Sequence, residues 1–326
     1  MRVETSILII AFVIAIILAF IIIPILRKLK VGQIERDDGP QSHLKKQGTP
    51  TMGGTIMIIA VIIVIISSYV YFTLNGANDI AGKLLPMAIL TIGFGIIGFI
   101  DDFKKLVLKN TKGLKPSYKM LGLLIISVMY VIFITKGLNM GTDTYIPILK
   151  TYLNLPIYIY VPFAIVVILG TTNAINLTDG IDGLSSSVCA IIITCLTMIG
   201  IIFKVEEASL FGSIVIGATL GFLMFNIHPA KVFMGDTGSL FLGGVISAIA
   251  LYLKIPLLLV VIALIPVLET ISVMIQVAYF KKTGKRFFKM APLHHHFELQ
   301  GWKENKVVII FSLVTLVLCI VGLKIV

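Results

Sequence analysis

Charge is what this sequence has least of. Only 13% of its 326 residues are Asp, Glu, Lys or Arg, about half the share found in an ordinary soluble domain, and the mean hydropathy is +1.05. No soluble core could hide so much apolar surface, which excludes an ordinary globular protein. Cysteine is scarce as well: Cys189, Cys195 and Cys319 lie within apolar runs and lack ligand spacing, so neither a disulfide framework nor a zinc site is implied. The sequence has no internal repeat, no low-complexity tail and no DNA-binding motif, and nucleic acid is a poor partner. The basic cluster Arg27, Lys28 and Lys30 follows the first apolar run, and no small-residue cleavage site precedes it. That order argues against a cleaved signal peptide.

What is present is apolar length: 58% of the residues are hydrophobic. Ten runs come near the roughly 20 residues needed to cross a bilayer: 7–26, 52–74, 84–100, 120–135, 155–175, 184–203, 208–227, 238–253, 255–280 and 307–323. The expectation is an all-α integral membrane protein with about ten transmembrane helices in one bundle, forming a single polytopic domain over 1–326. With the amino and carboxyl termini outside, the inner loops 27–51, 101–119, 176–186, 226–239 and 280–306 hold 20 of the 27 Lys and Arg residues and 10 of the 16 acidic ones. They account for +10 of the formal +11, and the positive-inside rule puts them in the cytoplasm. Topology and anionic head groups explain such a face without any further function. Dividing the eighth span from the ninth at Lys254-Ile255-Pro256 keeps the seven basic residues of the last loop inside. The outer segment 136–155 has the pattern of a small hairpin.

Polar motifs cluster in those same inner loops. Asp101 and Asp102, with Lys104 and Lys105 behind them, follow the third apolar run at a helix C-terminus, where the macrodipole disfavours anions. A solvated helix end would look similar, but carboxylates at a membrane boundary are more often functional. The run from Asn173 to Leu184 contains Asn176, Thr178, Asp179 and Asp182 and no basic residue. A turn would use such residues, and their density also suits hydrogen bonding to a base or sugar. Asp236 sits in Gly-Asp-Thr-Gly-Ser just before the eighth run. There it would serve either as an N-cap or, at a helix N-terminus that attracts phosphate, as a ligand for Mg²⁺. His294, His295 and His296 lie in the most basic loop and suit a metal, a solvated loop or a phosphate contact. Glu269 is the one acidic residue inside a span, a functional candidate by default or a polar contact between helices, and Trp302 is an interfacial anchor.

Together the motifs KKQGTPTMGG (45–54), DDFKK (101–105), NAINLTDGIDGL (173–184), FMGDTGS (233–239) and APLHHHFE (291–298) resemble, over essentially the whole chain, the MraY translocases of bacterial peptidoglycan synthesis. These are the phospho-N-acetylmuramoyl-pentapeptide transferases, a branch of the polyprenyl-phosphate N-acetylhexosamine-1-phosphate transferases. The resemblance implies Mg²⁺-dependent transfer of the phospho-sugar from UDP-MurNAc-pentapeptide to undecaprenyl phosphate, giving lipid I and UMP, at the cytoplasmic face of the bacterial plasma membrane. It also implies a homodimer. By the same resemblance, Asp101, Asp102, Asp236 and His295 are catalytic, with Asp236 the metal ligand. Asn176, Leu177, Asp179, Asp182, Asn226 and Phe233 fall to the nucleoside, with Phe233 stacking on uracil, and Asn173 is a further substrate-binding residue. Lys46, Thr51, Lys105, Lys119, Gln276 and His296 fall to the phosphates or donor. A sister activity, GlcNAc-1-phosphate transfer to a polyprenyl phosphate, resembles an interrupted histidine motif instead. A transporter would leave the polar loops unused and more often shows repeats.

Overall fold

The computed structural model describes residues 3–29, 48–108 and 113–326; Lys46 lies outside them. Its long helices are α1 (Val3–Lys28), α2 (Gly54–Leu74), α3 (Asn78–Leu106), α4 (Pro116–Ile132), α5 (Ile157–Thr178), α6 (Leu184–Ile202), α7 (Glu206–Asn226) and α8 (Gly235–Tyr252). Two short ones, α9 (Leu259–Ile262) and α11 (Leu293–Glu298), flank α10 (Leu264–Thr283), and α12 (Glu304–Ile325) closes the chain. Ten helices among the described residues are long and apolar enough to cross a membrane, as the apolar runs predict.

Helix α8 is the axis of the bundle, with every residue from Thr237 to Tyr252 buried. Helices α2, α3, α5 and α6 pack around it. Close packing of apolar helices requires small residues where backbones meet. At the contact of α1 with α7, Ala11, Ala15 and Ala19 are fully buried, and a Cβ on Gly217 would collide with the α1 backbone. Near the polar end of α8, a Cβ on Gly98 would strike the Asp236 carbonyl and one on Gly54 would strike Gly238. Those two glycines let α3 and α2 come close enough to bring their polar ends to the start of α8. Phe20, Met274 and Ile309 are exposed on the outer helices, as side chains facing lipid would be.

Four local features bear on the sequence-based expectations. Helix α3 does not stop at residue 100 but runs to Leu106, so Asp101 and Asp102 lie within its last turns and are buried. The split after the eighth span is present: α8 ends at Tyr252, Lys254 has a φ of 61°, and a 3-10 turn spans Pro256–Leu258. The ninth span, expected to be continuous over 255–280, breaks at Ala263. Pro266, third in α10, has no N–H to donate back into α9 and is tolerated where a helix starts. The hairpin also forms: β1 (Asp143–Ile146) pairs antiparallel with β2 (Thr151–Asn154), and Tyr145 N–H donates to the Lys254 carbonyl at 2.7 Å.

Candidate active site

Four side chains from three helices converge at the start of α8. Lys105 Nζ lies 2.8 Å from Asp101 Oδ2 and 3.0 Å from Asp236 Oδ2. Lys119 Nζ lies 3.3 Å and 2.8 Å from the same two oxygens. One turn separates Asp101 from Lys105, so α3 presents both on one face, and Lys119 enters from the first turns of α4. The remaining oxygens are also held: Leu114 N–H donates to Asp101 Oδ1 at 2.7 Å, and the Asn176 amide donates to Asp236 Oδ1 at 2.8 Å. Two carboxylates thus share two cations at the end of the bundle.

Asp102 faces another way. Its Oδ1 accepts the Asp236 N–H at 3.2 Å, and its Oδ2 accepts the Thr237 N–H at 2.8 Å and the Thr237 hydroxyl at 2.6 Å. Gly235 N–H donates to the Asp179 carboxylate. Thus the N–H groups at the start of α8, which have no partner within their helix, are satisfied by carboxylates from α3 and from the α5–α6 turn. This corrects two sequence-based expectations: Asp236 is not an N-cap, and the α8 amides at Gly235, Asp236 and Thr237 are already engaged by carboxylates. Burial, and then the charges of Asp236 and Asp102, push the Asp179 carboxyl up to about 8, although the Gly235 N–H bond opposes the rise.

The loop between α7 and α8 is fixed from both sides. Asn226, expected to face the nucleoside, is buried; its amide donates to the Val232 carbonyl at 3.0 Å and its oxygen accepts the Ser186 hydroxyl at 2.6 Å. Phe233 N–H donates to the Pro50 carbonyl and Gly53 N–H to the Phe233 carbonyl, both at 2.8 Å. Thr51, in that strip, is buried. Asp182 is buried too; its Oδ2 accepts from the Ala230 N–H and faces His228 Nδ1, both at 3.0 Å. Asp182, His228 and Glu304 form the group among the described residues whose donor atoms all lie within 4.8 Å of one another.

The histidine segment forms α11, anchored by Glu269. That fully buried carboxylate accepts the Leu293 N–H at 2.6 Å and the His294 N–H at 3.2 Å, with His294 Nδ1 also at 3.2 Å. Glu269 is therefore a polar contact that holds α11 to α10. His294 Nε2 is buried without a partner, and it packs so tightly on Gly180 that a Cβ there would collide with it. His295 Nδ1 lies 2.9 Å from Glu298, and His296 Nδ1 accepts the Lys289 N–H at 3.1 Å. The Gln276 oxygen accepts from the N–H groups of Phe287 and Phe288 at 3.1 and 2.9 Å. Trp302 stacks on Phe297 at 4.7 Å and carries Lys306 over its ring.

The family description of glycosyl transferase family 4 matches residues 84–254. A phospho-N-acetylmuramoyl-pentapeptide-transferase of Caldicellulosiruptor bescii is 47% identical over 97% of this chain and 95% of its own length. Proteins of the same name from Clostridium botulinum and Halalkalibacterium halodurans are 48% and 46% identical, over 97% and 99% of this chain and 94% and 97% of their own lengths. The chain belongs to this transferase family. Within the family frame, the structure joins Asp101, Lys105, Lys119, Asn176 and Asp236 directly, with Asp102 and Asp179 behind them at the start of α8. Leu177 is half-buried and Asn173, a turn before Asn176, is exposed. His295, His296 and Gln276 belong to the α10–α11 segment, which meets the Asp179–Asp182 turn through His294. Sequence reasoning missed the roles of His294 and Glu304, because neither the histidine run nor the first turn of α12 shows which loop it will touch.

Proposed function

We propose that the chain transfers phospho-N-acetylmuramoyl-pentapeptide from UDP-MurNAc-pentapeptide to undecaprenyl phosphate, forming lipid I and releasing UMP at the cytoplasmic face of the membrane. The observation that carries this reading is the Asp101–Lys105–Lys119–Asp236 cluster at the shared end of apolar helices. A soluble pyrophosphate and a lipid-borne phosphate can meet there. The near-full-length likeness to proteins of that name supports it. GlcNAc-1-phosphate transfer is the less supported alternative.

In this reading Lys105 and Lys119 bind phosphate oxygens and neutralise charge as it shifts toward the leaving UMP. Asp101, held by the Leu114 N–H, orients the acceptor phosphate or takes its remaining proton. A phosphate monoester has a second pKa near 6, so the acceptor is largely ionised and attacks the donor's β-phosphorus directly, in a transfer governed by positioning. The structure gives this route an added argument: Asp102 has both oxygens engaged by α8, which makes it a poor nucleophile. Asp236 and Asp101 bring oxygen-only donors to a common point that already suits cationic charge, and such donors fit Mg²⁺ better than a softer metal. Asp236 would hold the ion after giving up a lysine contact. When bound, Mg²⁺ supplies charge neutralisation on the pyrophosphate.

Purified protein in detergent, given UDP-MurNAc-pentapeptide, polyprenyl phosphate and Mg²⁺, should release UMP; no release would overturn the reading. Asp236→Asn should remain folded and lose nearly all turnover. Wild-type turnover by that variant at ordinary Mg²⁺ would remove Asp236 from the site.

A further inference from the structure

We propose that Glu304 is a positioning residue for the nucleoside end of the donor subsite, an inference that rests on the reading of that subsite given above. Glu304 opens α12, beyond the 84–254 stretch that the family description covers. Its carboxylate is almost fully buried, with 9% side-chain exposure. Oε1 accepts the Asp182 N–H at 2.6 Å, and Oε2 lies 3.3 Å from His228 Nδ1. The same Nδ1 lies 3.0 Å from Asp182 Oδ2, which also accepts the Ala230 N–H. One carboxylate therefore ties the turn bearing Asp179 and Asp182 to the loop bearing His228 and Phe233, the two segments on which a base and ribose would have to be held.

The chemistry favours a clamp here. A buried backbone N–H needs an acceptor, and a charged acceptor makes the stronger bond. A carboxylate in the first turn of α12 is also favoured by that helix's dipole. A divalent cation is the competing occupant of Asp182, His228 and Glu304. However, Asp182 Oδ2 and Glu304 Oε1 already accept backbone N–H groups, and both carboxylates face one imidazole nitrogen. The contacts are those of a group linking two loops.

The test uses the full chain in detergent and measures KM for each substrate, kcat, and UMP binding by calorimetry. Glu304→Ala should raise the donor KM and the UMP Kd about tenfold or more, the scale set by losing a charged acceptor from a buried N–H. The acceptor KM and kcat should stay within about threefold. Glu304→Gln keeps an acceptor for the Asp182 N–H and should recover most of the loss, which a role in folding alone would not produce. If Glu304→Ala does not fold, His228→Ala, made at a partly exposed side chain, should raise the donor KM by a smaller factor with kcat unchanged. An unchanged donor KM, or equal shifts in kcat and both KM values, would overturn the proposal. So would UMP binding that is lost from wild type on chelation and restored by Zn²⁺ but not by Mg²⁺, which would make the trio a metal site. Wild-type protein that turns over no UDP-linked sugar defeats the functional reading instead, so the two failures are distinguishable.

Discussion

A carboxylate at a membrane boundary takes its character from the cations and N–H groups around it, and the four aspartates near α8 have different surroundings. Asp101 and Asp236 share two lysines, Asp102 takes up helix amides, and Asp179 sits behind them beside Gly235. Asp179 is expected to titrate near 8, against about 4 in an unfolded chain. The folded chain then binds the extra proton between those values, so this group's contribution to stability falls as pH rises from about 4 to 8 and is level above. Thermal midpoints taken with a chelator from pH 5 to 8.5 should fall for wild type and fall less for Asp179→Asn. Equal slopes would show that Asp179 ionises normally. Phe233, whose backbone is pinned to Pro50 and Gly53, should offer its ring to the base. Phe233→Ala should raise the donor KM by a factor corresponding to roughly 1 to 3 kcal/mol of stacking, leaving the lipid KM little changed. A rise confined to the lipid KM would move Phe233 to the acceptor groove.

Among the elements, α8 decides the site because its start is capped from outside. Its N-terminal residue Gly235 is backed by Asp179, and its next two N–H groups by Asp102. Asp102→Asn removes the carboxylate that accepts the Asp236 and Thr237 N–H groups and should lower the unfolding midpoint, with a loss of about 1 kcal/mol or more, as for a missing cap. Thr237→Val, which removes only the hydroxyl contact, should cost less. If Asp102→Asn keeps wild-type stability while abolishing turnover, Asp102 acts in the chemistry and does not hold the helix. The motif around Asp236 was legible as polar and helix-initiating, but its capping partner was not. Asp102 lies 134 residues away from the Asp236 N–H, and no local pattern carries a contact of that separation.

At the scale of the whole molecule, the even division into ten spans and the crowding of basic residues into alternate loops set the expected topology. In a variant lacking the native cysteines, cysteine at Ser117 or Lys303 should be shielded from an impermeant thiol reagent in intact cells, and one at Thr142 should react. Labelling at Lys303 would overturn the orientation of the last three spans. The sequence by itself determined that the chain is a polytopic helical membrane protein, where nearly every long helix lies, and which polar motifs stand at helix ends. Hydrophobic length and loop charge are local quantities, summed along the chain, and need no knowledge of packing. Only the tertiary structure decided that Asp101 and Asp236 share Lys105 and Lys119, that Asp102 serves α8, that Glu269 anchors α11, and that Glu304 reaches Asp182. The contacts at the start of α8 depend on backbones meeting at Gly54 and Gly98, and the seat of α11 on the His294 ring packing against Gly180. Such meetings are set by how apolar helices fit side by side, which the order of residues along any one helix does not reveal.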